Sequence, residues 1–311
     1  SRATLAVLLH TIGQDERAVK ILNDGMALDA KDENLLNILG YAYAHAGDQS
    51  AALQANDRYL AVRPNDPNPW DTRGDIFNMF GRDDEAIAAY RKALELKPDF
   101  QEYAEYVKLG MVYADQGKYA LAETVLQEFA QRATPLQRLS LPVLQAQMQQ
   151  MRGDLDGSLE NYRKAVSQFA RGGQESGAGE VLQAYAAVAV LTGETGPALA
   201  FARQQKLHGE ELTALSLLEA VSGTQSASER ALQQYVALHP WISPEFIERQ
   251  RAFNQMCAAA AHNDGRQMLA AADRLPQSTA AGILFTKARA GLLLKDYSAA
   301  ERGFQRALNE N

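Results

Sequence analysis

Cysteine is nearly absent: the 311 residues include one, Cys257. A lone thiol forms no internal disulfide, so a disulfide-stapled scaffold is excluded and the compartment stays open. Long apolar runs are missing too. Nothing approaches the roughly 18–20 apolar residues that a spanning helix needs, so no membrane insertion is expected. A surplus of positive charge is also lacking. The formal net charge is −7, and residues 1–135 account for it with 21 acids against 14 bases, while residues 136–311 hold 17 of each. Phosphate backbones call for a basic surface, so nucleic acid is not an expected partner. An anionic lipid surface is disfavoured on the same ground. No secretory leader is visible, although Ser1 need not be the natural start. The cytoplasm is the expected compartment, with the periplasm as the alternative. Arginine outnumbers lysine 21 to 10, a bias that hints at a bacterial source.

Catalytic patterns are equally scarce. The five histidines, His10, His45, His208, His239 and His262, form no HExxH pair and no Cys/His spacing for zinc. Residues 171–180 (RGGQESGAGE) hold four glycines. They lack the following Lys–Ser/Thr and the preceding strand of a phosphate-binding loop, and read instead as a long loop or mobile joint. Gly153 to Gly157 (GDLDG) has no twelfth-position Glu for calcium and reads as an inter-helix turn. The acidic run Asp83–Asp84–Glu85 sits at a helix start, where it caps the helix and favours its dipole. Cys257 has no basic neighbour in sequence and reads as a buried, inert thiol. No enzymatic activity, cofactor or metal is expected.

What is present is a repeat. Gly40 and Gly74 stand 34 residues apart, as do Ala52 and Ala86, and Pro64 and Pro98. Tyr43 matches Phe77, Gly47 matches Gly81, and Tyr59 takes the place of Ala93. A further step of about 36 reaches Gly110, Tyr113, Gly117 and Ala122. Trp70 to Pro98 carries the fullest set: Trp70, Gly74, Phe77, Ala86, Tyr90, Ala93 and Pro98, with Arg73 where Leu is usual. This pattern resembles the tetratricopeptide repeat (TPR) family.

The resemblance implies an all-α, right-handed superhelical solenoid of about nine antiparallel helix pairs. Small residues at Gly40, Gly74, Gly110, Ala52, Ala86 and Ala122 let helix axes approach. Large residues such as Leu36, Tyr43, Trp70, Phe77, Tyr90, Tyr106 and Tyr113 fill the space between. Fainter copies extend the array. Ala6, Leu9, Ala18 and Leu22 fit a first repeat; Ala146, Gly153, Tyr162 and Ala165 a fifth; Ala186, Gly193 and Ala198 a sixth. Residues 210–239, 245–275 and 279–309 supply three degenerate pairs, the last with Ala288, Tyr297, Ala300, Phe304 and Ala307. The expected organisation is a regular solenoid over 1–170, the Gly-rich loop at 171–180, and degenerate repeats over 181–311. A second hinge is expected at 239–245 (HPWISPE), with Trp241 exposed.

In this family the first helices of successive repeats line a groove that holds a peptide or partner helix. The repeat slots assign that face to Asn34, Asn37, Tyr41 and His45; to Asn68, Asp71, Asp75, Asn78 and Met79; to Val107, Met111 and Asp115; and to Gln147, Gln150 and Met151. Amides bond extended backbone and methionines adapt to varied apolar side chains. The Lys/Arg cluster that TPR modules use to clamp acidic tails is missing, Lys108 alone being nearby. The aspartates point to basic or neutral partners.

The expected function is a non-enzymatic scaffold for protein–protein interaction, binding a partner segment in the groove. The alternatives are a regulatory arm of a larger bacterial signalling protein, such as a kinase or transcription regulator, and a helical-toroid enzyme. Leu5, Val7, Leu8 and Leu9 at one end, and Phe304, Ala307 and Leu308 at the other, are expected to leave terminal faces open. Those faces would be covered by missing parts of a longer chain or by a second copy in a homodimer.

Overall fold

The computed structural model describes the backbone of residues 2–11, 14–275 and 281–309, and their side chains apart from residues 11, 102, 103, 281–285 and 306–309. Ala307 and Leu308 lie outside the described side chains. Among the described residues there is no strand, and eighteen α-helices follow one another. The all-α repeat architecture is the one that the family resemblance implies.

The chain divides into two compact units, Ser1–Arg138 and Leu139–Asn311. The first holds α1 (Arg2–Thr11), α2 (Asp15–Met26), α3 (Glu33–His45) and α4 (Gln49–Val62). It continues with α5 (Pro67–Met79), α6 (Asp83–Leu96), a 3-10 turn (Phe100–Tyr103), α7 (Ala104–Asp115) and α8 (Tyr119–Arg132). The second holds α9 (Leu141–Met151), α10 (Leu155–Arg171), α11 (Glu175–Thr192), α12 (Thr195–Gln204) and α13 (Leu212–Val221). It ends with α14 (Gln225–Leu238), α15 (Pro244–Ala261), α16 (Gly265–Ala272), α17 (Ala281–Leu293) and α18 (Tyr297–Asn309).

The hairpins are made by one recurring turn. Gly47, Gly81 and Gly117 take φ of 79°, 66° and 69°, the left-handed conformation that lets a helix stop without a Cβ clash. At Gly81 the chain closes through Gly81 N–H to the Asn78 carbonyl at 3.0 Å and Arg82 N–H to the Phe77 carbonyl at 2.9 Å. Several following helices start on an aspartate. Asp48 accepts the Ala51 N–H and Asp66 the Asn68 N–H, so orphan donors at the helix start are satisfied. Asp83–Asp84–Glu85 fills the first turn of α6 behind Arg82 at the cap position. Its acids therefore serve the helix dipole and not the cap itself.

Packing follows the repeat slots. Ala52, Ala86 and Ala122 are wholly buried, and Gly40, Gly74 and Gly110 are buried opposite them. Tyr90, Leu36, Ile76 and Leu109 fill the interior of the first unit. Arg73, the departure from Leu, reaches the preceding repeat, where it bonds Asp57 at 2.5 Å and Asn56 at 3.2 Å. At the start, Ala6 and Leu9 are buried while Leu5, Val7 and Leu8 stay exposed.

Two expectations are corrected. Residues 171–180 form no long loop: α10 runs to Arg171, a tight turn follows at Gly172–Gly173, and α11 starts at Glu175. Gly177 and Gly179 lie inside α11 because they are approached closely. A Cβ at Gly177 would stand 2.7 Å from the Phe169 ring, and one at Gly179 would stand 2.9 Å from the Glu210 carbonyl oxygen. The organisation changes with it. One continuous core runs from Ala146 through Val166, Leu182 and Tyr185 to Val221, so the division falls at Arg138–Leu139 and not at the glycines. Residues 239–245 lie within the second unit, where Ser243 caps α15. Trp241 is 75% exposed there.

Candidate functional site

The first helices α3, α5 and α7 carry a connected set of polar side chains in the first unit. Their repeat register places Asn37, Tyr41, Asp71, Asp75 and Lys108 where neighbouring helices can meet, and hydrogen bonds join them. The Tyr41 hydroxyl donates to Asp75 Oδ2 at 2.7 Å, and the Tyr90 hydroxyl from α6 donates to Asp75 Oδ1 at 2.7 Å. Lys108 Nζ bonds both Asp71 and Asp75, the latter at 2.9 Å. It also stands 5.4 Å from the Tyr90 ring centroid, within cation–π range. Gln101 donates to Asp71 Oδ2 at 3.1 Å. Next to this cluster, the Thr72 hydroxyl donates to Asn37 Oδ1 at 2.7 Å and Asn68 donates to the Tyr59 hydroxyl at 2.7 Å.

The cluster is electrostatically loaded. Burial, then the like charge of Asp75, raises the Asp71 pKa against the pull of Lys108. Burial opposes the Lys108 charge, but Asp71 and Asp75 outweigh it and hold the ammonium above its ordinary range. Burial and the charge of Asp75 raise the Tyr41 and Tyr90 hydroxyls, so both remain proton donors. Glu105 on α7 is wholly buried; no side-chain donor satisfies its oxygens, and its protonated carboxyl donates to Asp71. Burial, with the charge of Asp71 adding, pushes its pKa to about 7.

The structure thus ties Asn37, Tyr41, Asn68, Asp71 and Asp75 to partners within the first unit. Asn34 and Asn78 are exposed, and Met111 is half-buried. The other residues assigned to this face are arranged differently. His45 is drawn to α1, its ring 4.1 Å from that of His10. Asp115 is exposed at the end of α7, where burial and then the charge of Asp83 raise its pKa. Gln147 is exposed on α9 of the second unit, and Gln150 donates to the Tyr162 hydroxyl at 2.8 Å. The reading of Asp71 and Asp75 as free negative charge needs correction. Asp71 is 2% exposed and both acids hold Lys108, because desolvated carboxylates need a countercharge.

Sequence reasoning passed over Lys108, Glu105 and Tyr90 as site residues. Lys108 stands one helical turn from Glu105, a spacing that places both on one side of α7. A glutamate amid the buried positions of a packed helix was the available signal. Among the described residues, no group of three or more His, Cys, Asp or Glu is arranged to hold a metal. No helix among them is long and apolar enough to cross a membrane.

Residues 69–100 match the tetratricopeptide repeat family model, over the span where the sequence pattern is fullest. The chain is 27% identical over 125 residues to human protein O-mannosyl-transferase TMTC1, covering 39% of this chain and 14% of that protein. It is 27% identical over 156 residues to the BBSome complex member BBS4 of Bos taurus, covering 50% of this chain and 29% of that protein. The chain therefore spans less than a third of these relatives' lengths. Among solved structures, a tetratricopeptide repeat protein from Parabacteroides merdae aligns with a TM-score of 0.45 and 15% identity, over 81% of this chain and 97% of that one.

Proposed function

We propose that this tetratricopeptide-repeat chain is a non-enzymatic scaffold that holds a partner segment on the first-helix face of α3, α5 and α7. One observation carries the reading. Successive first helices are locked to each other by Tyr41–Asp75 and by Lys108 with Asp71 and Asp75, so the face is held in one arrangement before a partner arrives. Preorganisation of this kind lowers the cost of binding. Exposed Asn34 and Asn78 offer amides to an extended backbone, and Met79, 41% exposed, offers an adaptable apolar contact.

Selection of displayed peptides on the intact chain tests the reading. Asn34→Glu and Asn78→Glu should each weaken the selected peptides by about tenfold, the size of one lost hydrogen bond plus a desolvation penalty. Glu123→Lys, on α8, should leave them unchanged. Peptides that ignore both asparagine variants would place recognition elsewhere on the molecule.

A further inference from the structure

The polar cluster of the first unit is short of positive charge. Asp71, Asp75 and Glu105 bring three carboxyl groups together, and Lys108 supplies one ammonium. Among the described residues no second cation bonds to these acids. Tyr41 and Tyr90 contribute neutral donors, both spent on Asp75, and Gln101 contributes one to Asp71. Glu105 receives no side-chain donor. It is wholly buried, while its carboxyl faces Asp71, to which its protonated form donates, and feels the charge of Lys108. A buried carboxyl that no side-chain donor satisfies is costly, and native chains keep one where a ligand or a proton completes it. Lys108 enters from the open side, its side chain 27% exposed, while Asp71 is closed off at 3% and Asp75 stands at 22%. The cation is thus the most accessible member of the cluster, and the acids form its socket.

We propose that this socket receives the terminal cation of a partner's arginine or lysine side chain, with Lys108 keeping the place when the face is empty. The proposal rests on the scaffold reading and specifies the chemistry of the segment held there: a basic side chain inserted between α5 and α7. The guest ammonium or guanidinium takes hydrogen bonds from Lys108 on Asp75 and Asp71, and Lys108 turns outward along its flexible stem. Added positive charge beside Glu105 favours its carboxylate, so a proton leaves as the guest enters. Uptake then strengthens as pH rises from 6 to 8.

The test uses N-acetyl-arginine N-methylamide and, as an uncharged match in shape, its citrulline counterpart. Binding is read by NMR and by calorimetry in two buffers of different ionisation enthalpy. The arginine amide should bind Lys108→Met about tenfold more tightly than the unaltered chain, since one charge-assisted bond no longer has to be exchanged. Asp75→Asn should lose that binding, and the citrulline amide should bind none of the three. Should Lys108→Met fail to fold, the unaltered chain decides by itself. Its Lys108 ammonium signal should shift with the arginine amide and stay still with the citrulline amide. An arginine amide that moves no Lys108 signal, or binds equally with and without Asp75, overturns the proposal. Selected peptides that need Asn34 and Asn78 while the arginine amide is ignored would leave the scaffold standing and sink only the socket. An arginine amide that enters while selected peptides ignore the face would do the reverse.

Discussion

Gly74 makes the room in which the ring of Tyr90 lies: a Cβ on Gly74 would stand 2.4 Å from Tyr90 Cε1 and 2.5 Å from Cδ1. Tyr90 is 1% exposed, and its hydroxyl reaches Asp75 at 2.7 Å. The small residue of the repeat therefore decides more than a helix crossing. It sets the position of a donor in the charged cluster. Gly74→Ala should push the ring outward and destabilise the chain by about 1–3 kcal/mol, the usual cost of overpacking. Gly40, whose added Cβ would come no nearer than 3.4 Å to Ile76, should tolerate alanine far better. Urea unfolding of the two variants checks the contrast, and equal losses would show that Tyr90 is not what Gly74 accommodates.

Glu105 gives stability a definite slope with pH. Its carboxyl rises from 4.5 in the open chain to about 7 in the folded one. Between those values the folded chain keeps a proton that the unfolded chain has lost. Folded protein then binds more protons, so unfolding becomes easier as pH rises and levels off above about 7. The shift corresponds to roughly 2–4 kcal/mol across that window. Asp71, also raised, adds a slope of the same sign from its own ordinary range upward. Glu105→Gln should remove most of the fall between pH 5 and 7.5. Urea midpoints at those two values settle it: a variant whose midpoint falls as steeply as the parent's would put the proton elsewhere.

The fold was legible because its determinants are local and periodic. Gly81 marks a turn between helices and Ala86 a close helix crossing, and each sits at a fixed offset within one repeat. The charged cluster was half legible. Repeat register placed Asp71 and Asp75 on the correct helix, but Lys108 lies 33 residues beyond Asp75 and Glu105 lies 34 beyond Asp71, where no sequence rule says which side chains touch. Charge counting misled for the same reason, since it treats every aspartate as solvated. Phe169 and Glu210 were similarly out of view when Gly177 and Gly179 were read as loop residues.

The adjoining, tilted rings of His10 and His45 should make the contact between α1 and α3 sensitive to acid. The His10 ring bonds Asp15 on α2 at 2.6 Å. Burial, and then the nearness of His10, lowers the His45 pKa, with Asp15 acting in the opposite direction. A histidine whose folded pKa is depressed supports the folded state above its unfolded pKa and loses that support as pH falls. The loss begins near the ordinary histidine value of about 6.5. Amides of α1 should therefore exchange faster at pH 5 than at pH 7, relative to those of α7. His45→Asn should remove the difference. Unchanged protection of α1 at pH 5 in the parent chain would show that the ring pair tolerates a charged His45.

Gly179 and Gly196 separate two meanings of glycine in two successive helices. Both lie within helices, Gly179 in α11 and Gly196 in α12, where alanine normally gains about 0.5–1 kcal/mol by restricting the unfolded chain. Nothing lies within 4 Å of a Cβ at Gly196, so Gly196→Ala should follow that rule and stabilise. At Gly179 the Cβ would meet Glu210 Cβ at 2.6 Å and the Glu210 carbonyl oxygen at 2.9 Å. A carbonyl oxygen is fixed by its backbone and does not yield as a side-chain end does. Moving it would disturb the segment before α13, where the Glu210 side chain also meets His239 at 3.2 Å. Gly179→Ala should therefore cost about 1–3 kcal/mol despite its better helix propensity. A thermal melt of each variant reads the sign directly. If Gly179→Ala stabilised like Gly196→Ala, the glycine-rich stretch would be a loose joint after all, free to move away from Glu210.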